Sequence, residues 1–214
     1  MTTLYTGIIT SDNISHVRQR YGTDVVCTPL LEIVAMGDDS ALRQAAADIN
    51  SYDYLLFTSR FAVSHFAIFL PQPLPPYVRI VSIGSTTTAA LLQAGFANVS
   101  QPAFDNSYSV IQWFRAQPRG SVLIPRSDIA LSIIPDGLRY HGFKVTTVTA
   151  YHNRMPAAPQ RVDLGTIDRI VFTSPSTISH FVSIYGSLPA DKVYETRGPI
   201  TRKYFETQIK IQDL

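Results

Sequence analysis

The chain has little cysteine, little charge and no long apolar run. Its 214 residues include one cysteine, Cys27, which excludes a disulfide framework and a cysteine-rich zinc site. Charged residues make up 16% of the chain, against roughly 25% in typical domains, which argues against a disordered protein. The 18 Lys and Arg and the 16 Asp and Glu leave a net charge of +2, too small to indicate a nucleic-acid surface. No stretch approaches the ~20 apolar residues that span a bilayer, so no membrane association is expected.

The first residues give an expectation about location. Met1–Thr10 has no basic segment followed by a long apolar stretch, so we interpret it as a first strand and not as a signal peptide. Together with the single cysteine, this favours a cytoplasmic protein. No apolar stripe exceeds what the folded cores need, and we therefore expect a monomer.

Short apolar runs rich in β-branched residues alternate with amphipathic stretches. This pattern predicts an α/β fold with parallel sheets that are flanked by helices and buried on both faces. The predicted strands are Leu4–Ile9, Asp24–Cys27, Tyr54–Phe57, Arg79–Ile83, Ser121–Ile124, Lys144–Thr149, Arg169–Phe172, Lys192–Thr196 and a weak Gln208–Ile211. The predicted helices include Ala41–Ile49, Ala62–Leu70, Thr87–Ala94, Val110–Ala116 and Ile129–His141.

An internal repeat indicates two similar lobes. Residues 53–66 align with residues 168–181 at an offset of 115, and seven of the fourteen positions are identical. Further on, Ile83-Gly84-Ser85-Thr86-Thr87 meets Arg197-Gly198-Pro199-Ile200-Thr201 at an offset of 114. This period is too long for a solenoid. We assign the two strands before the first copy to the lobe of the second copy.

That assignment predicts a discontinuous domain arrangement. One lobe consists of residues 1–31 and 152–214, and the other, residues 32–151, is inserted into it. Two extended segments, Pro29–Met36 and Thr146–Asn153, stand where the chain crosses between lobes. We expect them to form a two-stranded connector.

Both copies of the repeat read strand, Phe-Thr-Ser, helix. Thr58-Ser59 and Thr173-Ser174 therefore follow the carboxyl end of a strand, where serine caps the next helix. Helix capping alone would explain these residues. The alternative is anion binding, because the free backbone amides at the start of a helix also bind anions. The glycine turns at Gly84 and Gly198 repeat this design. Neither turn has a P-loop lysine or dinucleotide-fold spacing.

Other candidate residues have two interpretations each. Arg126 follows a strand and either forms a surface ion pair or binds a carboxylate. Tyr151 either packs in the core or presents its hydroxyl to a ligand. His65 and His180 repeat at the same offset, and we interpret them as structural. No metal-binding or hydrolase motif is found, so no metal site is predicted.

Six short motifs follow one another along the chain: Phe57-Thr-Ser, Ile83-Gly-Ser-x-Thr, Leu123-Ile-Pro-Arg126, Val148-Thr-Ala-Tyr151, Phe172-Thr-Ser-Pro-Ser and Gly198-Pro-x-Thr. In this order they resemble the uroporphyrinogen-III synthase family over essentially the whole chain. The resemblance implies two flavodoxin-like lobes joined by a two-stranded connector, with the active site between them. It also implies a hydro-lyase of haem and related tetrapyrrole biosynthesis that needs no cofactor. Such an enzyme closes hydroxymethylbilane to uroporphyrinogen III, with loss of water and inversion of ring D through a spiro intermediate.

The resemblance also implies residue roles. Tyr151 matches the tyrosine at the lobe junction, a proton donor that assists departure of the hydroxyl. Thr87, Ser59 and Ser174 match a threonine and two serines beside the active site. We assign substrate binding to these three and to Thr58, Gly84, Ser85, Thr86, Arg126, Ser176 and Gly198. The expected partners are the small-molecule substrate and, in a transient hand-over, hydroxymethylbilane synthase.

The chain departs from the family pattern in three places. Arg60 stands where proline is commoner, and Arg202-Lys203 replaces small residues after the second glycine turn. The chain ends at Leu214, before the further loop and helix usual in the family, so we expect a shortened first lobe. A short active enzyme, a truncated product and a non-catalytic binding or sensing protein for a polycarboxylate are the open alternatives. A nucleotide-dependent transferase is disfavoured because phosphate-binding signatures are missing.

Overall fold

The chain folds into two compact units. A computed structural model describes residues 1–212. The first unit contains Met1–Glu32 and the chain from Arg154 onward, and the second contains Ile33–Asn153. The chain therefore passes from one unit to the other twice.

Strands and helices alternate along most of the chain. The strands are β1 (Thr3–Tyr5), β2 (Val25–Cys27), β3 (Glu32–Ala35), β4 (Tyr54–Phe57), β5 (Arg79–Ser82), β6 (Ser121–Ser127), β7 (Lys144–Arg154), β8 (Arg169–Phe172) and β9 (Val193–Thr196). The α-helices are α1 (Ser11–Tyr21), α2 (Ser40–Ala47), α3 (Arg60–Phe66), α4 (Ser85–Gln93), α5 (Ser107–Arg115), α6 (Ile133–Tyr140), α7 (Pro175–Tyr185) and α8 (Pro199–Gln212). Short 3-10 helices span Asp48–Ser51, Ala67–Phe69 and Leu164–Thr166.

The first unit is built on a four-stranded sheet in the order β2-β1-β8-β9. All three strand pairs are parallel, and Leu4 of β1 lies between Val26 and Ile170. Both faces of the sheet are covered. Phe172 and Phe181 belong to the core on one face, and Val17 and Val171 pack on the other. Burial on both faces explains why these strands are almost entirely apolar.

The second unit has a five-stranded sheet in the order β3-β7-β6-β4-β5. The β4–β5, β4–β6 and β6–β7 pairs are parallel. Alternate residues of β4 point to opposite faces: Leu55 and Phe57 join one core cluster, while Tyr54 and Leu56 join the other. The prediction of an α/β fold with parallel sheets flanked by helices is confirmed.

The internal repeat is expressed as matching elements. Strand β4 and helix α3 begin 115 residues before β8 and α7, and β5 and α4 begin 114 residues before β9 and α8. The first strand of each copy lies between two neighbours in its sheet. Strand β4 lies between β6 and β5, and β8 lies between β1 and β9. The sequence repeat therefore marks a common strand–helix–strand–helix unit.

Several stretches differ from the sequence prediction. The helix predicted from Ile129 begins at Ile133, and the strand predicted to end at Thr149 continues to Arg154. Gln208–Ile211 was expected as a strand but lies in α8. Phe205 and Ile209, about one helical turn apart, pack against the core of the first unit, and this tertiary packing decides for the helix. Strand β1 ends at Tyr5 and not at Ile9. Within residues 1–212, no helix is long and apolar enough to cross a membrane.

Candidate active site

The candidate site groups lie at the carboxyl ends of the parallel strands. In the second unit, β4 and β6 are neighbours in the sheet although β5 lies between them in sequence. The first unit has the same reversal between β1 and β8. Open α/β sheets bind ligands outside the strand ends at such a switch point. Ser59 follows β4 and Ser174 follows β8, so the repeated serines lie at these two points.

The hydroxyl of Tyr151 meets Ser59 at the edge of the second unit. Tyr151 donates to Ser59 Oγ at 3.1 Å, and Ser59 Oγ also accepts from the backbone N–H of Phe61 at 3.0 Å. The tyrosine ring lies 6.0 Å from the Phe61 ring and 5.7 Å from that of His65. Only 6% of Tyr151 is exposed. Packing fixes the ring and leaves the hydroxyl at the carboxyl end of β4.

A β-bulge aims Tyr151 at Ser59. Along β6 and β7, Arg126 pairs with Thr149 but the next residue, Ser127, pairs with Tyr151. Ala150 is therefore an extra residue in β7, and it reverses the alternation of side chains beyond it. Ala150 and Tyr151 consequently pack in the same core cluster, which also contains residues of α3. Sequence analysis did not reveal this bulge, because no local signal marks it.

Burial keeps the Tyr151 phenol protonated. It raises the pKa of Tyr151, while hydrogen bonds with Ser59 and Ser127 act in the opposite direction and the charge of Asp128 raises it further. A phenol with a raised pKa is neutral at physiological pH. Tyr151 is thus a hydrogen-bond donor and a weak acid.

The strand-end serines cap helices, as the sequence predicted. Ser59 is the N-cap of α3 through its bond from Phe61. Ser174 is the N-cap of α7, with Pro175 as the first helical residue, and its hydroxyl lies 2.9 Å from that of Ser176. His65 Nδ1 lies 2.8 Å from the Phe61 carbonyl, and His180 Nδ1 lies 2.6 Å from that of Leu30. We interpret both histidines as structural.

Arg126 lines a polar cavity at the ends of β6 and β7. Its guanidinium donates to the Ala130 carbonyl. Among the described residues it takes part in no ion pair, which leaves the surface-pair interpretation without support. Burial lowers the pKa of Arg126, an effect opposed by Asp136 and reinforced by Arg139. The cavity has a volume of about 300 Å³ and is lined by Arg126, Ser127, Asp128, Ser132, Pro135, Arg139, Thr147, Val148 and Thr149.

A carboxylate of the protein itself occupies the first glycine turn. Gly84 is the N-cap of α4, and the backbone N–H and hydroxyl of Ser85 both donate to Asp105 Oδ2, at 2.9 and 2.8 Å. A Cβ on Gly84 would lie 2.2 Å from Asp105 Cγ, so only glycine leaves room for this carboxylate. The turn can hold a carboxylate, and Asp105 holds that place.

The remaining predicted residues lie at the same strand ends. Thr58 is half-buried between β4 and Ser59, Thr86 is exposed, and Thr87 is buried on α4. Gly198 precedes α8 with a φ of +83°, a conformation that favours glycine. Ser174, Ser176 and Gly198 belong to the first unit, and the other predicted residues belong to the second.

Sequence reasoning missed three groups near these edges. They are the extra residue Ala150, the carboxylate of Asp105, and a hydrogen-bonded pair of His152 and Asp128. Each depends on contacts between residues far apart in sequence, although His152 directly follows Tyr151. In the part of the chain that the structure describes, no three His, Cys, Asp or Glu side chains are grouped to hold a metal ion.

A comparison with known families decides the affiliation. The sequence profile of the family described as uroporphyrinogen-III synthase HemD matches residues 12–211. The chain belongs to the uroporphyrinogen-III synthase family. The resemblance stated from the motifs is confirmed, and the match extends over both units.

Individual relatives agree with this family. A uroporphyrinogen-III synthase of Chlorobaculum parvum is 27% identical over 183 residues, which are 79% of this chain and 72% of that protein. A porphyrin biosynthesis protein HemD of Ruminiclostridium josui is 24% identical over 187 residues, 82% of this chain and 37% of that longer protein. None of these relatives supports the alternative of a non-catalytic binding protein.

Solved structures share the fold. A mutant uroporphyrinogen III synthase from Thermus thermophilus superimposes with a TM-score of 0.65 at 16% identity, over 97% of this chain and 89% of that one. The uroporphyrinogen-III synthetase of Helicobacter pylori gives 0.57 at 16% identity, over 97% and 88%. At this identity the likeness establishes the fold of the chain.

Proposed function

We propose that this chain catalyses the cyclisation of hydroxymethylbilane to uroporphyrinogen III, with loss of water and inversion of ring D. The match of the family profile to residues 12–211 carries the proposal. As a member of this family the chain is a lyase of tetrapyrrole biosynthesis that acts on a small molecule. The geometry at the strand ends supports specific roles for its residues.

Departure of the substrate hydroxyl is the step that Tyr151 assists. Its phenol is neutral and stands at the carboxyl edge, where it now donates to Ser59. In the complex this O–H turns from Ser59 to the departing oxygen and donates a hydrogen bond to it. Ser59 keeps the N–H of Phe61 as a donor, so the exchange leaves no polar group unpaired.

The substrate carries acetate and propionate groups on every pyrrole, and the enzyme has to bind these carboxylates. Arg126 is the strongest candidate, because it is a half-buried cation without an ion-pair partner among the described residues. Hydroxyls and amides at Thr58, Ser59 and Thr86, and at Ser174, Ser176 and Gly198 in the first unit, supply neutral donors. Thr87 is buried and its N–H donates to the Gly84 carbonyl, so it supports the turn from within. Gly84 and Ser85 bind a substrate carboxylate once Asp105 has left.

The stoichiometry supports a reaction without a cofactor. One water leaves, two carbon–carbon bonds form and one breaks as ring D is inverted, and no electrons are gained or lost overall. Holding a flexible chain in the one fold that reacts provides much of the rate increase. The expectations of a cytoplasmic monomer and of hand-over from hydroxymethylbilane synthase stay predictions.

The product isomer tests the proposed function. Hydroxymethylbilane is generated in place by its synthase, this protein is added, and the oxidised product is separated into its isomers. We expect predominantly the type III isomer, whereas boiled protein yields the type I isomer that forms spontaneously. Type I product with the native protein would contradict the proposal.

A further inference from the structure

His152 and Asp128 form a hydrogen-bonded pair beside Tyr151. Asp128 immediately follows β6, and His152 lies near the end of β7. His152 Nδ1 is 2.8 Å from Asp128 Oδ2, and the two side chains are only 24% and 29% exposed. The Asp128 backbone N–H donates to the Tyr151 carbonyl at 3.2 Å, which ties the pair to the strand that carries the tyrosine.

Asp128 is held as a carboxylate. Burial alone would raise its pKa, but the backbone N–H of Asn153, the His152 side chain and the backbone N–H of Ile129 together outweigh burial and lower it. The two backbone bonds to Asp128 Oδ1 measure 2.9 and 3.0 Å. A carboxylate can only accept hydrogen bonds, so His152 donates from Nδ1. Its second nitrogen, Nε2, has no hydrogen-bond partner among the groups that the structure describes.

This arrangement is that of an oriented acid–base group. A histidine that acts in proton transfer needs one ring nitrogen fixed by an acceptor and the other free toward the substrate. Asp128 also lines the cavity that contains Arg126. A substrate carboxylate bound by Arg126 would therefore lie in the cavity that Asp128, the partner of His152, helps to line.

Tyr151 is poorly suited to give up its proton completely. Its phenol is buried and already donates to Ser59. Ordinary pKa values are about 10 for a phenol and about 6.5 for an imidazolium, so an imidazolium is the far stronger acid. Loss of the substrate hydroxyl as water requires a whole proton.

We propose that His152, oriented by Asp128, is the general acid that protonates the departing hydroxyl, while Tyr151 donates a hydrogen bond to it. This inference rests on the proposed function. The carbon–oxygen bond breaks with its electron pair on oxygen, and the proton from His152 Nε2 completes the water. The pyrrole nitrogen supplies electrons to the vacated carbon. Rearomatisation at the end of ring closure releases one proton, which returns to Nε2, so no oxidant or reductant is needed.

Several charged groups lie on the strands around His152. Asp128 is the one that the structure places in contact with the imidazole. Arg126 and Arg139 line the same cavity as Asp128. Arg154 lies two residues beyond His152 on β7, and Glu32 begins the neighbouring β3. The test therefore compares the pH profiles of variants with that of the wild type.

The decisive variant is His152→Asn. Asparagine can place an N–H where Nδ1 stood and keep the bond to Asp128, but it has no group that replaces Nε2. We expect kcat for type III product to fall about 100-fold, because general acid catalysis contributes at least that much. Wild-type kcat should also decline as the pH rises, because the acid must carry its proton, and His152→Asn should lose this decline.

His141→Asn is the matched control. His141 caps the carboxyl end of α6, ahead of the first residue of β7 and away from the carboxyl edge. It should retain wild-type kcat and the wild-type pH profile. Unfolding followed through Trp113, the one tryptophan, checks that both variants are folded.

Three results separate the possibilities. Type III product from the wild type, with kcat and the pH decline unchanged in His152→Asn, would overturn the role of His152 and leave the proposed function intact. A raised KM with unchanged kcat would also overturn it, since His152 would then only bind. No type III product from the wild type would refute the proposed function itself.

Discussion

Substitution of Gly84 probes the carboxylate held in the first glycine turn. A Cβ at this position would lie 2.2 Å from Asp105 Cγ and 2.5 Å from Oδ2. The φ of Gly84 is 178°, an extended conformation that any residue adopts. Alanine at position 84 therefore meets no backbone strain, and the Asp105 side chain opposes it, including the Asp105 Cβ at 2.6 Å. Gly84→Ala should displace this carboxylate from Ser85.

The expected cost follows from the hydrogen bonds that are lost. Asp105 would leave the backbone N–H and the hydroxyl of Ser85, both at the start of α4. Loss of a helix cap costs about 1 kcal/mol, and the second, solvent-exposed bond adds little, so we expect about 1–2 kcal/mol. Asp105→Ala loses the same bonds and should cost about as much. The double variant should cost less than the sum of the single variants, because the bonds to Ser85 are lost only once. It should cost more than Asp105→Ala, because the Cβ atoms at positions 84 and 105 still have to move apart.

Urea unfolding followed by tryptophan fluorescence measures these costs. The one tryptophan, Trp113, lies on α5 in the same unit as Gly84 and Asp105, so it reports on the unit that changes. Gly37→Ala is the control in this unit, because a Cβ there meets nothing within 4 Å. This explanation of Gly84 would be refuted if the loss of stability in the double variant equalled the sum of the losses in the single variants. Equal stability of Gly84→Ala and Gly37→Ala would refute it as well.

Three further predictions concern the residues around Tyr151. Tyr151→Phe should lower kcat about tenfold. It should destabilise the unit by about 1 kcal/mol or less, because Ser59 still accepts from the Phe61 N–H. A wild-type kcat for this variant in a steady-state assay would exclude the proposed hydrogen bond. Arg126→Gln should raise KM about tenfold, the value of one charge-assisted hydrogen bond, with a smaller effect on kcat; an unchanged KM would exclude Arg126 as a carboxylate ligand. The pKa of Asp128 is lower in the folded protein than in the unfolded chain, where it is about 3.9. This difference stabilises the fold at pH values above about 3.9, and the stabilisation is lost as the pH falls through the pKa of the folded protein. Acid unfolding should therefore be steeper for the wild type than for Asp128→Asn, and equal slopes would contradict the contacts of this carboxylate.

The sequence was most informative where the repeat and the strand pattern agree. Tyr54–Phe57 and Arg169–Phe172 were predicted as strands with the bounds that β4 and β8 have. Ser59 and Ser174 were predicted as caps, because serine after a strand and before an amphipathic run is a local signal. The helical end of the chain was missed, since the alternating residues 208–211 fit a strand locally and only packing of Ile209 favours α8.

The candidate site was less accessible to prediction. Tyr151 and Ser59 were both named from motifs, yet their contact depends on a bulge at Ala150 that leaves no trace in composition or periodicity. Asp105 lies 20 residues beyond Ser85, and Asp128 lies 24 residues before His152. Such contacts form only when separate strand ends meet at one edge of a sheet, so the sequence indicates the edge and the structure supplies the partners.

The dependence of the isomer ratio on protein concentration tests the central claim most directly. Spontaneous closure of hydroxymethylbilane to the type I isomer competes with the proposed reaction at a fixed rate. If the chain is a synthase, the type III fraction rises with the amount of protein until type I product disappears. A constant excess of type I product at every protein concentration would contradict the proposed activity.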